Sequence, residues 1–167
     1  AFQIPIALEH KNQPEFRRFD YISAYGEGWA LYCEKLGQEM GMYETPYERF
    51  GMLGYQIWRA TRLVVDTGVH SKGWTREQAL KYMHDYTALP EHEIETEVDR
   101  YIGNPGQACS YMIGELKIVE LRERAKKELG TKFSLRQFHN RVLGAGRVPL
   151  DILDAEISRW IASQANN

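Results

Sequence analysis

The carboxylate with the most unusual setting in this sequence is Glu27, which stands between Gly26 and Gly28 in the stretch YISAYGEGWALYCEKLG, residues 21–37. Tyr25, Trp29, Tyr32 and Leu36 recur there at helical spacing and form one apolar stripe, so the glutamate falls inside a helix. Each glycine costs a helix interior roughly 1 kcal/mol relative to alanine, and what it allows in return is close approach of a backbone or a ligand. Two readings stand side by side: a tight helix crossing with Glu27 paired to an arginine, or a carboxylate aimed at a metal.

A second group lies in RATRLVVDTGVH, residues 59–70, where Arg62, Asp66 and His70 succeed one another at i, i+4 spacing, with Arg59 nearby. A carboxylate one turn before an imidazole can fix its tautomer for proton transfer or oxyanion stabilisation. The same pattern also describes a salt-bridged stripe closing a helix C-terminus. The third group, DRYIGNPGQACSYMIG at 99–114, gathers Arg100, Tyr101, Gln107 and Tyr111 around a proline-initiated helix start. A tyrosine hydroxyl or an arginine there could bind an oxyanion or a carboxylate. Alternatively, Gln107 is the capping-box partner of Asn104 and the tyrosines belong to the core or its rim.

The histidines at 10, 70, 84, 92 and 139 include no i, i+4 pair, and HEIET at 92–96 ends in threonine where a helical zinc motif needs histidine. That segment reads as a solvated acidic helix, and the chain alone is not expected to build a catalytic zinc site. No phosphate loop, serine elbow or Cys/His nucleophile pair occurs. Cys33 and Cys109 both sit in apolar periodic segments and read as buried small hydrophobes.

These groups need elements to hold them, and 167 residues with 43% hydrophobic content suffice for a core. A formal net charge of -2 with acidic and basic residues interspersed offers no footprint for nucleic acid, and no apolar run is long enough to insert in a membrane. Cap-to-amide spacings at Thr45–Glu48, Thr75–Gln78, Asn104–Gln107 and Ser134–Gln137 mark helix starts. Together with Pro149 and glycines at 41, 73, 103 and 130, they predict helices over about 14–40, 46–70, 75–87, 91–103, 105–129, 134–144 and 149–164. Strand signals are absent. The expectation is an all-α chain of about seven helices in orthogonal or bundle-like packing, a single domain over 1–167 or the C-terminal half-domain of a longer protein.

In order and spacing, AYGEGWALYCEKLGQEMGMY, YERFGMLGYQIWRATRLVVDTGVHSKGWTREQAL, EVDRYIGNPGQACSYMIGELKIVELR and FSLRQFHNRVLGAGRVPLDILDAEISRWI resemble the C-terminal part of the bacterial DUF885 family, helical proteins similar to zinc metallopeptidases of the glutamate-zincin type. The resemblance covers most of residues 14–161, and AFQ at 1–3 resembles the tail directly after the second histidine of an upstream His-Glu-x-x-Pro-Gly-His motif. It implies that Glu27 is the third zinc ligand, with both histidine ligands and the general-base glutamate upstream of this chain. It further implies a peptide substrate, His70 and Tyr111 as oxyanion stabilisers, Asp66 orienting His70, and Arg100, Tyr101 or Gln107 holding substrate. Without the upstream motif Glu27 is one ligand of three. The isolated chain is then expected to be inactive, with an apolar face where the N-terminal portion of the same protein would sit. The resemblance also favours a bacterial periplasmic or envelope location. The competing class is a helical interaction or scaffold module, in which Glu27, Asp66 and His70 are only members of buried ion pairs.

Overall fold

Side-chain caps at Thr45, Thr75 and Ser134 set three of the helix starts. The computed structural model describes residues 14–165 together with Pro5, Ile6 and Glu9; the readings placed on residues 1–3 and on His10 lie outside the described residues. The chain forms α1 (Glu15–Phe19), α2 (Ser23–Glu39), α3 (Pro46–Lys72), α4 (Arg76–Tyr86), α5 (Glu91–Gly103), α6 (Ser110–Leu129), a 3-10 turn (Gly130–Lys132), α7 (Leu135–Gly144) and α8 (Leu150–Ala165). No strand occurs among the described residues, and none of their helices is long and apolar enough to cross a membrane. At the start of α3 the Thr45 hydroxyl accepts from the Glu48 amide at 3.3 Å, while Glu48 accepts from the Thr45 amide at 2.8 Å. Thr75 and Gln78 repeat the reciprocal pair at α4, and Ser134 accepts from the Gln137 amide at α7.

Two expected helices differ. The helix predicted from residue 14 to 40 breaks at residues 20–22, where Asp20 is extended, its carboxylate accepts from the Tyr21 amide and its carbonyl accepts from Arg147. The helix predicted from 105 begins instead at Ser110, because residues 104–109 form turns. The Asn104–Gln107 capping box does not form, since the Gln107 side chain accepts from Arg100 at 2.6 Å and the Gln107 amide donates to the Asn104 backbone carbonyl at 3.3 Å.

The chain divides into two compact units, residues 30–113 and the remainder. Within residues 30–113, α3 packs on α4 and α5. Trp58, Val65, Ala79, Met83, Ile94, Val98, Tyr101 and Ala108 form one core there. The segment at 92–96, read as a solvated acidic helix, therefore has one side in this core: Ile94 is buried, as are Val98 and Tyr101 further along α5, while His92 and Thr96 are exposed. Cys109 is buried as expected, whereas Cys33 is exposed, on the flank of the stripe that Tyr25 and Tyr32 bury.

In the other unit α7 packs on α8. Phe138, Val142, Leu153, Ile157 and Trp160 are buried, and the Tyr25 hydroxyl donates to the Val142 carbonyl at 2.8 Å. Lys117 and Arg124 of α6 both meet Asp154 of α8 at 2.7 Å, which lowers that carboxyl to about 2. Gly28 and Gly114 mark where α2 and α6 touch backbone to backbone: a Cβ on Gly114 would lie 2.6 Å from Gly28 Cα, closer than any real Cβ contact.

Candidate functional site

The two glycines around Glu27 have separate tasks. Gly28 admits the Gly114 backbone, and Gly26 admits the ring of Tyr21, whose edge would lie 2.8 Å from a Cβ there. The glycines thus make room for α6 and for Tyr21, both within this chain. Tyr21 in turn donates its hydroxyl to Glu27 Oε1 at 2.9 Å. Glu27 is half-buried, and among the described residues no arginine pairs with it: a tyrosine hydroxyl fixes one oxygen and no other described residue takes the second. Hydroxyl donors of this kind orient carboxylates that ligate metals, although they also occur in purely structural networks. Among the described residues, no three His, Cys, Asp or Glu side chains come together to hold a metal. Glu27 fits the role of a single carboxylate ligand, and the described residues do not complete a zinc set.

The second and third groups meet inside residues 30–113, on α3, α5 and the turn at 104–109. Arg62 is 5% exposed, its guanidinium lying 4.5 Å from the Trp58 ring and 4.7 Å from the Tyr111 ring. Its Nε donates to the Tyr101 hydroxyl at 3.0 Å and its Nη2 to Glu97 at 2.9 Å. The same hydroxyl accepts from Trp58 Nε1 at 3.1 Å and donates to Glu97 at 2.7 Å. One donor and two lone pairs are all a phenol has, so Tyr101 is saturated. Burial pushes its hydroxyl up to about 12; the Arg62 charge opposes this and the Glu97 carboxylate adds to it. Tyr101 is the internal hub of a polar network, and every hydrogen bond its hydroxyl can make is already made.

Glu97 is the residue that reading the sequence missed. Burial alone would raise its carboxyl, but hydrogen bonds from Arg100 and Tyr101 and the charges of Arg62 and Arg100 outweigh this and lower it to about 2. Arg100 grips it with Nε and Nη2, both at 2.9 Å. Its spacing to Arg100 and Tyr101, at i+3 and i+4, was the available signal. The remaining Nη1 contact of Arg100 to Gln107 leaves two guanidinium N–H groups and the Gln107 amide N–H groups without partners among the described residues.

Asp66 and His70, expected to pair, do not. Both Asp66 oxygens accept from the Gly106 amide, at 3.0 and 3.1 Å, and so hold the turn at 104–109, where Gly106 takes φ +78°. The Cys109 thiol is pushed up to about 11 by burial and by the charge and hydrogen bonding of this carboxylate. His70 is exposed, with Nε2 2.8 Å from the Tyr101 carbonyl. A carbonyl only accepts, so Nε2 carries the proton, and neutral His70 presents Nδ1 as an acceptor. Half-buried Tyr111 stacks on Arg62, and its hydroxyl has no hydrogen-bond partner among the described residues.

The family profile described as "Bacterial protein of unknown function (DUF885)" matches residues 1–157. The crystal structure of "the putative lipoprotein from Colwellia psychrerythraea" superposes with a TM-score of 0.93 at 46% identity, covering 96% of this chain and 28% of that one. A "putative lipoprotein of unknown function from Shewanella oneidensis" gives a TM-score of 0.83 at 27% identity, covering 92% of this chain and again 28% of its own. The chain thus spans little more than a quarter of either. No functionally curated protein matches it.

Proposed function

Because the chain belongs to the bacterial DUF885 family, we propose that it is part of a zinc-dependent, peptidase-like hydrolase to which it contributes Glu27 as one metal ligand. The observation that supports this is the setting of Glu27: a carboxylate on a glycine-flanked turn, one oxygen fixed by Tyr21 and the other taken by no other described residue. The remaining ligands would come from outside the described residues, and the chain by itself would be inactive. Zinc with an open position acidifies its water and polarises a carbonyl. The chain's own groups would then act on a peptide. Tyr111 donates its hydroxyl to the tetrahedral oxyanion. His70 does so through Nδ1 only as imidazolium, since Nε2 is committed to the Tyr101 carbonyl. The spare N–H groups of Arg100 and the Gln107 amide hold peptide carbonyls or a terminal carboxylate. Asp66 and Tyr101 are positioning residues that hold the 104–109 turn and the Arg62 guanidinium. The lipoprotein descriptions of the two similar proteins support an envelope location for this chain as well.

The commitment of Arg62, Glu97 and Tyr101 to one another within the chain favours the second reading, a helical interaction module without catalysis. Glu27→Gln in the whole protein separates the two. Zinc content by elemental analysis and hydrolysis of a peptide mixture should both be lost while circular dichroism and Tm stay unchanged. Zinc content and turnover equal to those of the wild type would overturn the Glu27 assignment. A wild-type protein with neither zinc nor hydrolysis would leave the module.

A further inference from the structure

From Pro46 to Ile57 no side chain of α3 is buried; Trp58 is the first that is. Yet this stretch carries Tyr47, Phe50, Leu53, Tyr55 and Ile57, with Phe50 67% and Leu53 54% exposed. On one flank Phe50, Leu53, Ile57, Ala60, Tyr86 and Ala88 line an apolar groove of about 600 Å³. On the other, Met42, Tyr43, Met52, Tyr55 and Arg59 line a second of about 690 Å³. Arg59 there has its Nε buried with no hydrogen-bond partner. A helix with an uncovered apolar surface of this extent lacks the packing that ordinarily stabilises it.

We propose that both grooves seat a segment of the same polypeptide: in a chain as long as the similar proteins, residues outside the matched 28% lay apolar side chains along both flanks of α3. Length is the first argument, since nearly three-quarters of each similar chain lies outside the region that superposes here with TM-scores of 0.93 and 0.83. Geometry is the second. At 3.6 residues per turn the line through 48, 52, 55 and 59 and the line through 50, 53, 57 and 60 lie roughly 150° apart around the helix. A flat partner, whether a second copy or a bilayer, covers one flank, whereas a polypeptide that continues the fold can pass on both. Charge is the third, because Glu34 and Glu48 border the second groove and disfavour an anionic lipid surface. This inference does not depend on zinc or catalysis.

The test uses the whole protein. Hydroxyl-radical footprinting of the unmodified protein reads Phe50, Met52 and Tyr55 directly, and maleimide labelling of Leu53→Cys and Met52→Cys, mapped by mass spectrometry, reads one position on each flank. Both positions are expected to label about 100-fold more slowly in the native monomer than in urea, as for sites reached only through local opening. Footprinting is expected to show the three native side chains protected to match. Labelling within a few-fold of the urea rate would overturn the proposal. So would protection that disappears on dilution as a dimer dissociates, or protection that requires added phospholipid vesicles.

Discussion

Replacing Glu97 with glutamine tests the buried network where its energy is concentrated. In the folded chain the Glu97 carboxyl is lowered from 4.5 to about 2, and its side chain is 14% exposed, so solvent screening is slight. A displacement of that size corresponds to about 3 kcal/mol at 1.36 kcal/mol per pH unit. An independent route agrees: Glu97→Gln leaves Arg62 buried without its charge partner, a loss that typically costs about 3–5 kcal/mol. Because Glu97 ionises more readily folded than unfolded, its stabilisation is complete above the unfolded value near 4.5 and is lost as pH falls through about 2. The assay is native-state hydrogen exchange of the whole protein, resolved on peptides from α3 and α5, because the network occupies one unit and global unfolding need not be two-state. The gap between wild type and Glu97→Gln should be about 3 kcal/mol near neutral pH and should shrink toward zero near pH 2. A gap below about 1 kcal/mol near neutrality, or one that does not change with pH, would refute the reasoning.

Gly114→Ala should destabilise the protein by about 1–3 kcal/mol in urea unfolding, because the new methyl meets the Ala24 carbonyl and Gly28; a neutral or stabilising result, as helix propensity alone predicts, would show that the two backbones separate freely. Asp66→Ala should cost about 1–3 kcal/mol and speed exchange of the Gly106 amide, with Asp66→Asn milder because one acceptor oxygen remains; equal effects of the two would mean that the carboxylate is not what holds the turn. In thiol labelling mapped by mass spectrometry, Cys33 should react well before Cys109, whose thiol is buried and raised to about 11, and the reverse order would contradict the described burial. His70→Ala is expected to lower turnover with Tm unchanged, and a His70→Ala protein with wild-type turnover would remove the residue from the mechanism.

Local chemistry was readable and long-range chemistry was not. Thr45 and Thr75 announce their helices because cap and partner lie three residues apart, so the whole interaction is written within one turn. Asn104 and Gln107 have the same spacing and fail, because Arg100 captures the glutamine side chain and Asp66, 40 positions from Gly106, holds the segment as a turn. Nothing in four consecutive letters announces such a competitor. The break before Ser23 obeys the same rule, since the Asp20 carbonyl answers to Arg147, 127 residues away. At the site, the glycines around Glu27 signalled close approach, but not that Tyr21 and Gly114 were what approached. Glu97 was lost among the carboxylates of an acidic segment, because its neighbours in sequence reveal its arginine clamp only once the period of Ile94, Val98 and Tyr101 assigns one side of α5 to the core.

The saturated hydroxyl of Tyr101 bears on how this sequence can drift. Trp58, Arg62 and Glu97 each hold one of its three hydrogen bonds, so replacing any one leaves the others with a buried vacancy rather than with water. Their effects must be strongly non-additive, and a double substitution that removes Arg62 and Glu97 together should be less harmful than the two single losses summed. The four positions therefore behave as a single heritable unit: a lineage that abandons Glu97 is expected to exchange Arg62 in the same passage, and intermediates carrying one change without the other form the valley between them.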